Sequence, residues 1–547
     1  MGRTFQLAGL CVVILVVLGY GIQNPGLAGV LSDRVSGAHA QDETTYASSA
    51  VGVATGSGWM TPKVLGRFYL VKPPLLIWLS GLSPRTFGIS RFSLRLPVLL
   101  AGALATLLLA LWSARSYSRW TGAFTALLLV SDPLWQTFSR ICYTDMLLVM
   151  ATDGALYIFD RDPQLEQSRN IFLFGGFIAF GIMAKNVAGC LPLAVVLLYC
   201  AIVRTRPPLR NLMKSGALAA VLVAPWHLYQ VISHPRWFWT DYVQIQLLQF
   251  GVKPPVQISE DGPLWYYLKR LVLTDPLLVI LSLIALPFLI RAIRSGNRNA
   301  ALLLAWIAVA AGSLFLFRYR NVPYLLYAIP PLCYACAAYA LPRLPVRRSA
   351  ITAALAIIFC LRAVNASEPW GLPFGSGQTV TSAKWFRWYA VQQRPNELIA
   401  IDPDDEYYAT ALRLPRIRYC YLDPGRVVQR YAPRYAFLGI TVSAAQFDNL
   451  DNWIPQFRQR LLRWGLASTE PIATNISAPS VDDILRLVET HPESDFYVST
   501  ALMRRLPAPV LAGRRLVPLS RDRCFLLAAN AGGSEVSRGR WDMPNNW

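Results

Sequence analysis

The 547-residue chain has little charge, less acid and almost no histidine. Asp, Glu, Lys and Arg make up only 15% of it, with 31 acidic residues against 52 basic ones. So small a charged share excludes a soluble globular chain of this length, which must cover its surface with polar groups. No convincing nucleotide-binding loop is present. Neither an internal repeat nor an inverted duplication of hydropathy appears, which argues against a secondary transporter. The four histidines offer little chemistry: His39 reads as an exposed loop residue, and His227 and His234 as interfacial anchors at the end of an apolar span. Nine cysteines form no metal framework. Most lie in apolar runs, and Cys333-x-x-Cys336, despite its redox spacing, sits inside one and reads as structural. Cys420 and Cys524 fall in a polar region and are a candidate disulfide if that region lies outside the cytoplasm.

What the chain does have is apolar length. Hydrophobic residues are 54% of it and mean hydropathy is +0.36. A first run over 7–21 reads as an uncleaved helix, because the small-residue site Ala38-His39-Ala40 stands too far beyond it for a signal peptide. Further runs at 96–113, 121–138, 145–160, 171–186, 189–203, 212–230, 273–291, 299–317, 324–341 and 349–364 predict about eleven transmembrane helices. The net charge of +21 does not point to nucleic acid, because much of it sits in short connections such as Arg204/Arg206/Arg210/Lys214 and Arg291/Arg294/Arg298. Those connections share one side if the N-terminus is cytoplasmic. The long loop 22–95, the loop 231–272 and everything after about 365 then lie outside. The expected architecture is an α-helical polytopic membrane domain, 1–364, followed by a soluble α/β domain, 365–547. The β-like runs Leu398–Ile401, Ile417–Tyr421, Tyr435–Val442 and Phe496–Ser499 and a helix over Asp482–Glu489 carry the second part.

The candidate chemistry lies in the first outer loop. Asp42-Glu43 reads either as a helix start, with Asp42 as cap, or as paired carboxylates beside the membrane. Lys72 directly precedes Pro73-Pro74, whose rigid backbone fixes the direction in which the lysine leaves the chain. It suits a phosphate-bearing lipid, or equally an interfacial anchor. Asp145 closes the second outer loop after Ser139-Arg140 and is either a cap or a second acid. Lys185, Arg318 and Arg320 add cations on the face where the positive-inside rule makes them scarce, so their presence asks for a reason: pairing with phosphate, or pairing with Asp42, Glu43 and Asp145. Trp237, Trp239, Tyr266 and Tyr267 read most simply as an aromatic belt, with sugar stacking as the alternative. Tyr46, Tyr69 and Arg140 are candidate contacts for a sugar or acceptor.

The stretch from Asp42-Glu43 through Lys72-Pro73-Pro74-Leu75 to Arg95-Leu96-Pro97 resembles the first outer loop of a GT-C family. That family comprises the lipid A aminoarabinose transferases and the protein O-mannosyltransferases. The resemblance continues through Tyr143-Thr144-Asp145-Met146, Lys185, Pro225-Trp226, Trp265-Tyr266-Tyr267 and Arg320-Asn321-Val322-Pro323-Tyr324 to Ile329-Pro330-Pro331. It implies an inverting membrane glycosyltransferase that takes a sugar from a polyprenyl-phosphate donor. The acceptor would be a glycolipid, glycan or protein at the outer face of the inner membrane. It further implies Asp42 as the catalytic carboxylate, supported by Glu43 and Asp145, with Lys72, Lys185 and Arg320 at the donor phosphate. The chain departs from the family pattern at Thr45, where an arginine is usual. It departs again at Val71 and Gln246, where the family's metal-ligand types are missing, so no cofactor is expected. The other readings are a transporter of polyprenyl-linked lipid and a catalytically silent scaffold.

Overall fold

The computed structural model describes residues 40–54, 58–64, 67–88, 91–249, 262–316 and 320–348, and, further on, 395–401, 417–421, 476–477, 481–506, 514–519 and 523–528, with a few single positions besides. The expected span 7–21 falls almost wholly outside these residues, as do Arg318 and the run Tyr435–Val442; the span 349–364 falls only partly within them. The chain divides into two compact units: residues 1–62 with 69–377, and residues 63–68 with 378–547.

The first unit is helical. Its elements are α1 (Ala40–Ala54), α2 (Leu75–Phe87), α3 (Arg91–Ser116), α4 (Arg119–Ser131), α5 (Pro133–Phe138), α6 (Asp145–Arg161), α7 (Ser168–Lys185), α8 (Leu191–Ile202), α9 (Leu209–Ser233), α10 (Pro263–Thr274), α11 (Pro276–Arg294), α12 (Arg298–Leu316) and α13 (Ile329–Ala335). Among the described residues, six stretches are long and apolar enough to cross a membrane. One of them, Ser168–Ile202, is two segments. Gly189 lies against the backbone of Gly181 and Ile182, whereas eight residues of continuous helix would separate those positions by about 12 Å. The chain therefore reverses at Asn186, whose φ of 48° is left-handed, and α7 and α8 are distinct.

Polar residues at helix starts act as caps where the backbone needs them. Ser118 accepts from the Thr121 amide at 3.1 Å, Asp132 from Trp135 at 2.8 Å and Asp275 from Leu278 at 3.0 Å, each satisfying an orphan N–H of a first turn. Pro133 and Pro276 occupy the first helical position, where no amide is required. Helix α6 packs between α3 and α7, and α7 continues the layer against α9. Gly175 permits that last contact, since a Cβ there would meet the Ser215 carbonyl at 2.5 Å. The core is apolar and aromatic around Trp112, Phe124, Trp135, Phe159 and Trp306.

In the second unit, β1 (Lys63–Val64) and β2 (Arg67–Phe68) form a small hairpin. The larger sheet contains β3 (Leu398–Ile401), β4 (Ile417–Tyr421), β5 (Ile476–Ser477), β6 (Asp495–Ser499), β7 (Arg514–Pro518) and β8 (Arg523–Ala528) in the order β5-β4-β3-β6-β8-β7. β3 is parallel to both neighbours and buried along its length, as expected of a strand covered on both faces. Helix α14 (Val481–Thr490) contributes Ile484, Leu487 and Val488 to a core with Ile399, Ile401, Phe496 and Leu526.

This sheet corrects the expected disulfide. Cys420 is on β4 and Cys524 on β8, with β3 and β6 between them. Three strand spacings separate them by about 14 Å, while a disulfide needs Cα atoms about 4.4–6.8 Å apart. Cys524 is a buried free thiol.

Candidate functional site

Glu43, Asp145, Lys72 and Lys185 are all buried, and their partners separate their duties. Glu43 receives Nε of Arg95 at 2.7 Å and Nη2 at 3.1 Å, a bidentate pair of the strong kind. The same carboxylate receives the Cys142 amide at 2.9 Å, and the Cys142 thiol donates to Ser80 at 3.4 Å. Glu43 thereby ties together α1, α2, α3 and the loop 139–144. Burial pushes the Cys142 thiol up to about 12, so it stays a neutral donor within that tie. Asp42 occupies the third position of α1, next to Glu43 and one turn before Tyr46; its side chain lies outside what is described.

Asp145 does not cap its own helix. Its Oδ1 takes the Lys185 ammonium at 2.5 Å and the Tyr327 hydroxyl at 2.7 Å, while Oδ2 takes the Thr144 hydroxyl at 3.3 Å. Lys185 also stands 4.7 Å from the Tyr324 ring centre and 5.5 Å from that of Tyr327, an aromatic cradle for a cation. The capping alternative for Asp145 is thus set aside by geometry, and the extra cation at the end of α7 has its anionic partner.

The loop 139–144 links the two clusters. Cys142 bonds Glu43, Asp145 follows three residues on, and the Tyr143 ring meets Tyr46 edge-on at 5.7 Å and Phe138 at 5.3 Å. Tyr69 approaches the other side of Tyr46 at 6.2 Å. Lys72 is only 8% exposed and Pro73 and Pro74 are buried, which an interfacial anchor with its ammonium in the headgroups would not be. Arg140 is buried at 2%. Arg320 is half-buried, and the amide of the following Asn321 donates to the Tyr267 hydroxyl at 3.1 Å. Val71 and Gln246 are both half-buried.

Several aromatic and histidine expectations are corrected. Trp237, Tyr266 and Tyr267 are 1%, 2% and 4% exposed, so they belong to the core rather than to an aromatic belt; Trp239 and Trp265 are the exposed ones. His227 bonds the Tyr242 hydroxyl at 2.8 Å and His234 is buried, so neither is an interfacial anchor.

Sequence reasoning missed the anchoring of the segment 59–62. Trp226 donates to the Met60 carbonyl at 2.8 Å, the Gln230 amide donates to the same oxygen, and Thr61 donates to Gln230 at 3.3 Å. Trp78 holds the Trp59 carbonyl at 2.6 Å. One signal was visible, because Trp226 and Gln230 are four apart and share a helix face. Gln230→Leu is expected to cost about 1–3 kcal/mol by stranding buried polar groups. Limited proteolysis near Met60 should quicken as the segment loosens.

With this geometry in place, the likeness to known proteins becomes specific. A family model described as dolichyl-phosphate-mannose-protein mannosyltransferase matches residues 71–229, a range that includes Lys72, Asp145, Lys185 and Trp226. Two curated relatives are undecaprenyl phosphate-alpha-4-amino-4-deoxy-L-arabinose arabinosyl transferases, from Serratia proteamaculans and Pseudomonas aeruginosa. Each is 26% identical, over 330 and 307 residues, covering 55% and 53% of this chain. The chain resembles the GT-C aminoarabinose and mannosyl transferases. It spans about half the length of these curated relatives, 54% and 53%. The crystal structure of ArnT from Cupriavidus metallidurans bound to undecaprenyl phosphate superposes with a TM-score of 0.64 at 16% identity, covering 98% of this chain and 99% of that one. At that identity the match speaks for the GT-C fold. Together with the six apolar stretches, it makes this an integral, polytopic, largely helical membrane protein.

Proposed function

We propose that the chain is an inverting membrane glycosyltransferase that moves a sugar from a polyprenyl-phosphate donor to an envelope acceptor, a glycolipid, glycan or protein. The observation that carries this reading is the burial of Lys72 and of the Asp145–Lys185–Tyr327 cluster in a chain that has few charges to spend. Ionisable residues kept at this depth in an apolar protein point to function by default, and a lipid phosphate is an anion that suits lysine. The names of the relatives support that choice of anion, since they specify undecaprenyl phosphate.

In the reaction, an acceptor oxygen attacks the anomeric carbon as the bond to the donor phosphate breaks. The acceptor proton passes to a carboxylate, for which Asp42 is the candidate. Lys72, Lys185 and Arg320 neutralise the charge gathering on the departing lipid phosphate. Lys185 enters this step by exchanging Asp145 for phosphate, with the tyrosine cradle holding it between the two. Glu43, already committed to Arg95 and Cys142, is a positioning residue that sets the rotation of α1 and with it the placement of Asp42. Tyr46, Tyr69 and Arg140 face the sugar or acceptor. Val71 and Gln246 supply no metal ligands, and the proposed steps use none. The N-terminus is assigned to the cytoplasm, and the loop 22–95 and the C-terminal unit to the outer side.

Undecaprenyl phosphate at about 100 times its Kd should stabilise the purified chain by about 2.7 kcal/mol. The readout is the thermal midpoint in detergent. Lys72→Met should remove most of that shift; an unshifted midpoint for the unsubstituted chain would count against the donor assignment.

A further inference from the structure

The remaining charged groups of the bundle interior have partners: Glu43 has Arg95, Asp145 has Lys185, and Asp160 receives the Trp112 indole at 2.8 Å. Asp153 does not. It lies in the middle of α6, is 0% exposed, and is the one buried carboxylate among the described residues with no hydrogen-bond partner at either oxygen. It borders a small cavity between α6, α8 and α12, with Thr152, Leu191, Val195, Trp306 and Tyr327 among its walls. Tyr327 is the only other titratable residue of that lining. An isolated carboxylate carries a large desolvation cost in such surroundings unless something compensates it. An ionisable residue retained at this depth in an apolar bundle marks function more often than packing.

Position supplies the link to the outer cluster. Asp153 stands eight residues along α6 from Asp145, about 12 Å deeper. Tyr327 borders the Asp153 cavity while its hydroxyl donates to Asp145, and a phenol oxygen that donates still retains acceptor capacity. We propose that Asp153 and its cavity form a proton-holding site inside the bundle, linked through Tyr327 to the Asp145–Lys185 pair. The site binds one proton and releases one, with no other reactant. A change of charge at Asp145, such as the departure of Lys185, is felt at Asp153 through the shared tyrosine. Asp153 is a positioning residue in this scheme, and the proposal holds whether or not the chain transfers sugar.

The test is infrared difference spectroscopy on the full chain in lipid bilayers, subtracting Asp153→Asn from the unsubstituted protein across the neutral pH range. A protonated-carboxyl stretch should appear in that difference, and repeating the subtraction in a Tyr327→Phe background should move it. Asp153→Leu, which has the same branching of side-chain atoms and no polar group to bury, provides the same subtraction if the asparagine variant is poorly folded. The absence of a protonated-carboxyl band in the difference would overturn the proton site. A band identical in both tyrosine backgrounds would overturn the link.

Discussion

Asp42→Asn is expected to lower sugar transfer by about 10²–10⁴-fold while the protein remains folded, the scale on which a positioned general base contributes. The expectation rests on how firmly α1 is held around that residue. Glu43, its neighbour, is fastened to Arg95 and to the Cys142 amide. Tyr46, one turn on, is wedged between Tyr69 and Tyr143. With rotation and height both set, exchanging one carboxyl oxygen for an amide removes the base and leaves the scaffold in place. Transfer measured in membranes, beside the thermal midpoint of the purified variant, separates the two effects. A fall in rate accompanied by an equal loss of folded protein would make Asp42 structural.

Arg95→Leu should act in the opposite way, on stability first. The guanidinium and the Glu43 carboxylate are nearly buried, 3% and 10% exposed. Removing one member of such a pair leaves an uncompensated charge that costs about 3–5 kcal/mol, a large part of the 5–15 kcal/mol typical of a folded domain. The variant should therefore melt markedly lower and accumulate poorly. Adding Glu43→Gln should restore part of the loss, because a neutral amide no longer needs the cation; a double-mutant cycle reads the coupling directly. Equal and additive losses would mean that the pair is not the tie between α1, α3 and the loop 139–144.

The sequence makes one class of fact legible and hides another. Apolar runs disclose the helices, and scarce charges between them disclose Lys72, Asp145 and Lys185, because an apolar chain retains such residues only for a reason. Which charge meets which is not readable. Glu43 and Arg95 are 52 positions apart, and Asp145 and Tyr327 are 182 apart, so their pairing is a product of helix packing alone. Tyr266 and Tyr267 resemble a belt by composition and lie in the core because α10 turns them inward. Cys420 and Cys524 fail as a disulfide because strand order separates residues that composition groups together. Asp153 escaped notice for a related reason: one carboxylate within an apolar run reads as tolerated until its surroundings show that nothing compensates it.

The most direct measurement is mass spectrometry of envelope glycolipids, glycans and glycoproteins from cells with the gene, without it, and with Asp42→Asn. A membrane glycosyltransferase predicts a species heavier by one sugar that is present only with the intact chain and missing from both other strains. An envelope profile unchanged by deletion would contradict it.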